Sequence, residues 1–368
     1  MKLLCISNGH GEDGISVRIL KALRDLPNAP EVAAMPIVGE GQAFQRAGIA
    51  IASPTQTLPS GGFIYMDSRQ LAKDVQSGLI QLTLAQIKAA RAWAREGGAI
   101  FAVGDVVPLA IAHLSGAPYA FLGTAKSEYW LRDESGPLPS RPWFEGWSGS
   151  VYLPWERWLM SRPRCRAVFV RDELTASWLE RFGIPAHYAG NPMMDGLTAN
   201  PEKLARLVAG IQEISYALKM VLLPGSRSPE AERNWQRILQ AVGSVATACQ
   251  QDSLWLAAID PKLDLAPFHE SLLTAGWSAL EPGDAGYPTY QKDKACLRLA
   301  PGAFAECVEV AQGAIATAGT ATEQFVGLGK PAFTFPGEGP QFTRTFAEVQ
   351  ARLLGESVIL MESSEAVG

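Results

Sequence analysis

Histidine and cysteine are both scarce in this sequence, and neither residue type is grouped in the way that a metal site requires. The four histidines are isolated, so no spacing typical of metal ligands is visible. The five cysteines include no Cys-x-x-Cys pair; they are Cys5, Cys165, Cys249, Cys296 and Cys307. An odd number of scattered cysteines predicts reduced thiols, mostly buried, in a cytosolic compartment.

Two further absences concern nucleic acid and membranes. The 32 Lys and Arg residues are outnumbered by 37 Asp and Glu, a net charge of -5 that argues against a nucleic-acid partner. No apolar run is long enough to span a bilayer, and the first run has only a strand's length before Ser7, unlike a signal peptide. We therefore predict a cytoplasmic protein whose contact with a membrane is peripheral.

Short apolar runs alternate with helical patterns along both halves of the chain, which at 368 residues is long enough for two domains. The predicted strands are 2–6, 31–38, 99–103, 119–122, 167–170, 219–223, 254–259, 295–299, 314–317, 332–335 and 357–360. The predicted helices include 15–25, 71–95, 173–182, 235–249, 304–311, 322–328 and 342–354. This alternation favours an α/β fold with two Rossmann-like parallel-sheet domains that face each other across a cleft.

Glycine and proline punctuate the middle of the chain and divide it. We predict a first domain over 1–190, a hinge over 191–200 and a second domain over 201–368. An aromatic insertion, 129–166, interrupts the first domain and holds five of the ten tryptophans among prolines and arginines. Trp143, Phe144 and Trp147 are candidates for contact with a membrane surface, where tryptophan and arginine are favoured. The alternative is that the tryptophans pack beneath a long loop.

The first strand ends in a turn that formally matches Gly-x-Gly-x-x-Gly, the dinucleotide pattern, through Gly9, Gly11 and Gly14. Two acids in this turn would repel a pyrophosphate, so a neutral ligand that carries hydroxyl groups suits it better. The candidate residues for binding such an acceptor are Asn8, Gly9, Gly11, Glu12, Asp13 and, from the insertion, Trp130.

Two residues near the ends of first-domain strands are candidates for the catalytic base. His10 titrates near neutrality and has the chemistry to take a proton from a hydroxyl, but it would equally serve to orient the turn. Asp105 follows Gly104 at the end of a buried strand, where a carboxylate is either a base or the N-cap of the next helix.

The second half offers three turns suited to an anionic ligand. Gly225, Ser226 and Arg227 supply amides, a hydroxyl and a cation at a helix N-terminus, as a diphosphate requires, although a plain strand-to-helix turn has the same pattern. Gly319, Thr320 and Ala321 form a second turn, followed by Glu323, which either binds ribose hydroxyls or only favours the helix N-terminus. Gln341 lies in a third. With no Asp-x-Asp nearby, we expect neither a cofactor nor a required metal.

The segment 222–227 followed by Glu230 and Glu232, together with 318–323, resembles lipid-A-disaccharide synthase and its relatives, which are inverting glycosyltransferases of the twin-Rossmann GT-B fold. Gly104-Asp105 and the segment 188–195 are also similar to that family. The pattern from 319 to 341 is similar to the glycosyltransferase that adds N-acetylglucosamine to a lipid-linked peptidoglycan precursor. The chain departs from the family's pattern at 8–13 and after Asp105, both on the acceptor side, and is thus identified as a divergent member.

The resemblance implies transfer of a sugar from a UDP-sugar, of the UDP-N-acetylhexosamine type, to a lipid-linked or glycolipid acceptor at a membrane surface. It implies that Glu323 faces the ribose, that Gly319 and Thr320 face the diphosphate and that Gln341 faces the sugar. It also places Gly190 and Asn191 on the donor side. Three alternatives remain open: a UDP-sugar 2-epimerase, a non-catalytic protein that binds sugar nucleotides or lipids, and a nicotinamide dehydrogenase that uses the first turn.

Overall fold

The structure is a computed structural model that describes residues 1–9, 11–56, 78–138, 146–211, 215–249, 251–281, 286–337 and 344–362. The chain divides into two compact units, 1–195 and 196–368, and each is described by itself. The division lies within the segment 191–200; that this segment acts as a hinge stays a prediction. Among the described residues, no helix combines the length and the apolar character needed to cross a membrane.

The first unit is built on a parallel seven-stranded sheet in the order β3-β2-β1-β4-β5-β8-β9. The strands are β1 (Lys2–Ser7), β2 (Glu31–Pro36), β3 (Ala50–Ile51), β4 (Ala99–Gly104), β5 (Tyr119–Gly123), β6 (Arg132–Asp133), β7 (Gly136–Pro137), β8 (Cys165–Val170) and β9 (Ala186–His187). The helices are α1 (Gly11–Arg24), α2 (Gln42–Arg46), α3 (Leu79–Arg95), α4 (Val106–Ser115), α5 (Pro154–Met160) and α6 (Glu173–Glu180). Strands β6 and β7 form a separate antiparallel hairpin.

Strand β1 is buried on both faces, as expected for a strand inside a parallel sheet. Leu4 and Ile6 point into the core shared with α3 and α4, whereas Cys5, between them, points into the core on the α1 side. Because side chains alternate along a strand, one short apolar run serves both layers. Its polar continuation therefore emerges at the carboxyl edge of the sheet.

The second unit has an eight-stranded sheet in the order β12-β13-β14-β11-β10-β15-β16-β17. The strands are β10 (Leu218–Leu223), β11 (Ser253–Ile259), β12 (Ser278–Ala279), β13 (Thr289–Lys292), β14 (Ala295–Pro301), β15 (Gly313–Ala316), β16 (Ala332–Thr334) and β17 (Val358–Leu360). The helices are α7 (Pro201–Val208), α8 (Glu230–Cys249), α9 (Ala266–Thr274), α10 (Phe304–Val310), α11 (Thr320–Gly327) and α12 (Arg344–Leu354). Strand β13 runs antiparallel to both of its neighbours, β12 and β14. The six strands from β14 to β17 in the sheet order are parallel to one another.

The aromatic insertion folds around a buried ion pair. Glu128 and Arg132 lie 2.8 Å apart, with both side chains almost fully buried. Glu128 also accepts hydrogen bonds from the hydroxyl of Ser150 and from the backbone N–H of Val151, at 2.5 and 2.9 Å. These bonds join the described segments on either side of residues 139–145, which lie outside the described residues. The insertion is therefore an ordered part of the first unit where it is described.

All of the predicted strands are present. More than half of their ends differ from the predicted ends, by one or two residues. The prediction of an α/β fold with parallel sheets is confirmed. The helix predicted from residue 71 begins at Leu79 in the described chain, since 57–77 lie outside it. The short helices α2, α5 and α9, the short strands β3, β6, β7 and β9, and the antiparallel pair β12–β13 were not predicted. It was also wrong to treat 129–166 wholly as an insertion, because β8 already begins at Cys165.

Candidate functional site

Three turns of the first unit meet at the carboxyl edge of its sheet. Strands β1, β4 and β5 are parallel neighbours, so Asn8, Gly104 and Thr124, which follow or end them, lie side by side. Glu12 joins this group from the first turn of α1: its carboxylate oxygen lies 3.5 Å from the Thr124 hydroxyl, which donates to it. Asp105 acts on Glu12 electrostatically. The structure thus brings together residues that are more than 100 positions apart.

Glu12 is the titratable group of this cluster. The pKa of its carboxyl is raised to about 7, chiefly by burial and also by the negative charges of Asp105 and Asp13, against the opposing effect of its hydrogen bonds. A carboxyl group with a pKa near 7 exchanges a proton readily at physiological pH. The sequence analysis predicted that Glu12 contacts the acceptor and did not predict this acid–base character.

Asp13 points in a different direction from Glu12. It is buried, and its carboxylate accepts a hydrogen bond of 2.6 Å from the Ser7 hydroxyl, beneath the turn. Burial raises the pKa of Asp13 to about 6. This placement suits the packing of α1 on β1 better than contact with a ligand, and the predicted acceptor role of Asp13 stays a prediction.

Asp105 is the N-cap residue of α4, which is one of the two roles that the sequence predicted for it. Its carboxylate accepts a hydrogen bond of 2.8 Å from the N–H of Val107, and only 8% of the residue is exposed. The cap holds Asp105 at the strand end, where its charge acts on Glu12. Capping and a role in the site are therefore compatible in this geometry.

Glycine is required at two positions, Gly9 and Gly104, where the turns of the first unit pack most closely. Gly9 has a φ of 113°, and a Cβ atom at this position would lie 2.7 Å from the Val38 carbonyl oxygen. Gly104 has a φ of 130°, and its Cβ would lie 2.6 Å from Asn8 Oδ1. Both positions combine backbone strain for other residues with a steric clash. Gly11, by contrast, is the exposed first residue of α1.

Four other predicted residues of the first unit are placed differently or not described. His10 lies outside the described residues. Trp130 is half-buried in a turn that packs on α6, which follows β8. Gly190 and Asn191 belong to the first unit: Asn191 caps the turn 192–194, where the Pro192 carbonyl accepts a hydrogen bond from Arg18 of α1. Their predicted place on the donor side stays a prediction.

The second unit also brings three turns to one edge of its sheet. Strands β10, β15 and β16 are parallel neighbours, and the three predicted turns begin at their carboxyl ends. Thr317, directly after β15, donates from its backbone to the Leu223 carbonyl at 2.9 Å and from its hydroxyl toward Leu223 and Pro224 at 3.4 Å. This residue fastens the first two turns to each other.

The turn after β10 presents an open backbone and a partly desolvated cation. Gly225 has a φ of 106° and no atom within 4 Å of a Cβ placed on it, and Ser226 is exposed. Burial lowers the pKa of Arg227, while nearby Glu230 opposes this shift. A guanidinium with reduced hydration binds an anion more strongly than a fully exposed one does.

The turn after β15 opens α11 without a side-chain cap. Gly319 is the N-cap residue and has no side chain that could cap the first amides of α11. Gln350 of α12 donates to the carbonyls of Gly319 and Ala318 at 3.0 and 3.5 Å. Since a peptide N–H points opposite to its C=O, this contact turns the Thr320 N–H away from Gln350. Glu323 is half-buried in the first turn of α11.

The third turn is described only as far as residue 337. Arg237 of α8 donates to the Pro336 carbonyl at 2.8 Å and so joins this turn to the helix that follows β10. Gln341 lies outside the described residues, so its predicted contact with the sugar stays a prediction. Among the residues that are described, no group of His, Cys, Asp or Glu is arranged to hold a metal ion.

Sequence reasoning missed Thr124, Gln350 and Arg237. A signal for Thr124 was present, because it directly follows a predicted strand at the edge where the other candidates lie. No local signal identifies Gln350 or Arg237, which belong to helices and reach the turns only through the fold.

No protein-family model matches the chain, and no curated protein matches it. Solved structures do. UDP-GlcNAc 2-epimerase from Neisseria meningitidis, bound to UDP-GlcNAc, matches with a TM-score of 0.54 at 14% identity, covering 100% of this chain and 89% of that one. The S. aureus MnaA–UDP structure matches with a TM-score of 0.52 at 14% identity, covering 100% and 85%. UDP-GlcNAc 2-epimerase from Methanocaldococcus jannaschii matches with a TM-score of 0.51 at 14% identity, covering 100% and 90%.

At 14% identity these similarities establish the fold and nothing finer. The more specific resemblance to lipid-A-disaccharide synthase stays a prediction. The chain has the GT-B fold, with two Rossmann-like domains, as the sequence predicted.

Proposed function

We propose that this protein is an enzyme that binds a UDP-sugar through its second unit and breaks the bond between the sugar C1 and UDP. The observation that carries the proposal is the meeting of two anion-suited turns, at Gly225–Arg227 and at Gly319–Glu323, on neighbouring strands. The matched structures that contain UDP or UDP-GlcNAc support it through their common fold.

In this proposal the second unit holds the nucleotide. The amides that begin α11 and the Gly225 turn face the diphosphate, Arg227 neutralises its charge, and Glu323 accepts hydrogen bonds from ribose hydroxyls. As the C1–O bond breaks, its electron pair leaves with UDP. Amides and a guanidinium already aimed at that charge stabilise the transition state without reorganising.

The first unit supplies acid–base chemistry. Burial, with a contribution from Asp105, raises the pKa of Glu12 to about 7, so that its protonated and ionised forms are both accessible near neutral pH. The charge of Asp105 contributes to this shift. The predicted bases were Asp105 and His10. The raised pKa of Glu12 supports this role for Glu12 and a supporting one for Asp105, and His10 lies outside the described residues.

Two reactions use these parts, and the comparisons support 2-epimerisation more directly than transfer. Two of the three structures named above are UDP-GlcNAc 2-epimerases. Inversion at C2 requires a base to remove the C2 hydrogen and an acid to return one to the opposite face. A carboxyl with a pKa of about 7 can do either. Loss of the C2 proton and of UDP would leave a C1–C2 double bond. Return of a proton to the opposite face of C2, with re-formation of the C1–O bond to UDP, would give the epimer, so that no acceptor is needed.

Inverting glycosyl transfer is the second candidate, because the motifs 222–227 and 318–323 resemble glycosyltransferases that act on lipids. Glu12 would take the proton of an acceptor hydroxyl, and the oxygen would form the new bond to C1 as UDP leaves. Peripheral contact with a membrane would bring a lipid acceptor to the protein. Trp147, 70% exposed, is consistent with such contact, while Trp143 and Phe144 lie outside the described residues.

The test is product analysis with UDP-N-acetylglucosamine in D2O, first alone and then with extracted lipids. Epimerisation gives a C2-inverted product that carries deuterium at C2 without any lipid. Transfer gives a labelled glycolipid only when lipid is present, with no deuterium at C2. A folded protein that binds UDP but gives neither product nor donor hydrolysis is a non-catalytic binder. Absence of UDP binding by calorimetry contradicts the proposal, and tight NAD binding in its place would favour a dehydrogenase.

A further inference from the structure

Three helices on one face of the first sheet share an unusual balance of charge. Helix α4 packs against both α3 and α5, and all three contribute to one core. Helices α3 and α4 contain no Asp or Glu. The single acid of α5, Glu156, is buried and paired with Lys126 at 2.5 Å. This layer is thus devoid of exposed acid, although the chain as a whole carries a net charge of -5.

The outer face of α3 combines apolar and basic side chains. Positions 80, 84, 88, 91 and 95 recur every three or four residues and lie within one narrow stripe of the helix. Ile80 and Leu84 are 54% and 62% exposed, and the three basic residues that follow are also exposed. The buried side chains of α3 lie on the opposite face. The stripe therefore runs from exposed aliphatic residues to Lys88, Arg91 and Arg95.

The stripe continues onto α4 and α5. Arg91 donates to the Leu114 carbonyl at 3.0 Å, and the Leu114 side chain is 46% exposed. Trp158 of α5 packs against His113, with ring centroids 5.2 Å apart, and the Arg162 guanidinium lies 4.4 Å from the Trp158 ring. The α3–α5 surface comprises Ile80, Leu84, Lys88, Arg91, Arg95, Leu114, Trp155, Trp158, Arg162 and Arg164.

The electrostatic potential is positive at His113, the titratable residue that packs against Trp158. The pKa of His113 is lowered, chiefly by burial and then by Arg164 and Arg162. Arg164 also donates to the His113 carbonyl at 3.2 Å. Arginines here stabilise the carboxyl end of α4 and at the same time leave a cationic surface around Trp158.

We propose that the α3–α5 surface docks the protein onto an anionic lipid bilayer. Half-exposed tryptophans beside arginines suit the boundary between headgroups and acyl chains, where the indole keeps one edge wet. Glu96, which follows Arg95, is exposed but is paired with Lys2 at 2.9 Å, and the lysine and arginines of the surface complement anionic headgroups. Leu84 and Trp155, which is 53% exposed, supply apolar anchors within the same basic field.

Where the α3–α5 surface meets α4, it lies at the end of that helix remote from Asp105. Helix α4 starts beside Asp105 and ends beside Trp158, roughly 15 Å away along its axis. The proposal is compatible with the lipid acceptor in the transferase form of the proposed function, but it does not depend on activity. Vesicle binding is measured without substrate, so its failure is distinguishable from failure of the enzymatic proposal.

The experiment is co-sedimentation of the full-length protein with vesicles of phosphatidylcholine, with or without phosphatidylglycerol. We expect binding to the anionic vesicles, little binding to the neutral ones, and release as salt is raised. Each basic residue near an anionic leaflet is worth about fivefold in binding. Reversing two charges with Lys88→Glu and Arg95→Glu should therefore weaken binding at least about 25-fold.

The matched control is Lys21→Glu with Lys262→Glu, which changes the net charge equally at exposed sites outside the α3–α5 surface. It should lose much less affinity. Leu84→Ser with Trp155→Ser should weaken binding even at low salt. Circular dichroism and thermal unfolding of each variant show whether the fold is intact.

Several results would overturn the proposal. One such result is failure of the wild-type protein to bind anionic vesicles. Another is binding to a polyanion such as RNA but not to vesicles. Equal losses in the two charge-reversal pairs would indicate a dependence on net charge alone. Weakening by Trp147→Ser, with no effect of the α3–α5 substitutions, would place docking on the loop around Trp147.

Discussion

The turns of the two units occupy equivalent places, at the carboxyl edges of parallel strands, and yet they present opposite chemistry. The first unit gathers Glu12 and Asp105, with a carboxyl pKa raised to about 7. The second gathers amides, Ser226 and the partly desolvated Arg227. A buried carboxyl handles protons, whereas amides and a guanidinium hold an anion. One supersecondary plan thus serves two roles, set by a few residues beyond each strand.

The glycines of the two units differ in the same way. Gly9 and Gly225 have similar φ angles, 113° and 106°. A Cβ at Gly9 would clash with the Val38 carbonyl oxygen, whereas Gly225 has open space around it. The first turn is therefore packed as a fixed arrangement, and the second is open as a ligand-binding turn would be.

The largest expected effect tests the proton-handling role of the first unit. Glu12→Gln keeps the size of the side chain and removes its titration, so turnover of the UDP-sugar should fall about 100-fold or more. In the wild-type protein kcat/KM should rise with pH through about 7, as Glu12 ionises, and this rise should vanish in the variant. Asp13→Asn, which alters the buried neighbour, should retain most of the activity. Unchanged turnover in Glu12→Gln would contradict the assignment.

The next largest effect is a difference in stability between alanine substitutions at Gly9 and at Gly225. Gly9→Ala combines left-handed backbone strain with overpacking, and should cost about 3 kcal/mol of unfolding free energy. Gly225→Ala has the same strain without the clash, and should cost about 1 to 2 kcal/mol. Chemical denaturation of both variants measures the difference. If the two substitutions cost the same, the close packing around Gly9 does not constrain the turn.

Binding of UDP tests the anion-holding role of the second unit. Arg227→Ala should weaken UDP by roughly 1.5–3 kcal/mol, the value of a charge-assisted hydrogen bond. Glu323→Ala should weaken UDP but spare pyrophosphate, which has no ribose. Calorimetry should also show that Glu12→Gln binds UDP as the wild type does. Normal binding by both second-unit variants would show that the nucleotide lies elsewhere.

The smallest effect concerns stability against pH. The folded-state pKa of Glu12, about 7, is above its ordinary value of 4.5, so the folded protein binds the proton more tightly than the unfolded chain. This contribution to stability is fully present below about pH 4.5 and is lost as pH rises through about 7. Glu12→Gln should remove the loss and gain on the order of 2 kcal/mol at most above pH 7, since partial exposure weakens the effect.

The pH dependence of stability that remains in Glu12→Gln distinguishes the contribution of Asp13 from that of Glu12. Asp13, whose pKa is raised to about 6 from 3.8, should still make Glu12→Gln less stable as pH rises, but only up to about pH 6. Thermal unfolding across this pH range checks both statements. A variant with the same profile as the wild type would show that Glu12 does not titrate near neutrality.

The sequence by itself determined the strand and helix alternation, and with it the fold class. Apolar runs such as Lys2–Ser7 and Leu218–Leu223 end in turns rich in glycine, and this punctuation is local. The same local logic found Asp105 as a strand-end acid and as a helix cap, both of which the structure contains. Short elements such as α2 and β12 escaped because a few residues carry too little pattern.

Only the tertiary structure decided which of these residues act on one another. Strand order places β1 beside β4, and this sets Glu12 within reach of Asp105 and Thr124. The pKa of Glu12 follows from burial and from charges distant along the chain, which no window of sequence contains. The contact of Gln350 with Gly319 has the same origin, because α12 reaches that turn only when the sheet is assembled. Local propensity therefore supplied the parts, and the packing of distant segments gave them their chemistry.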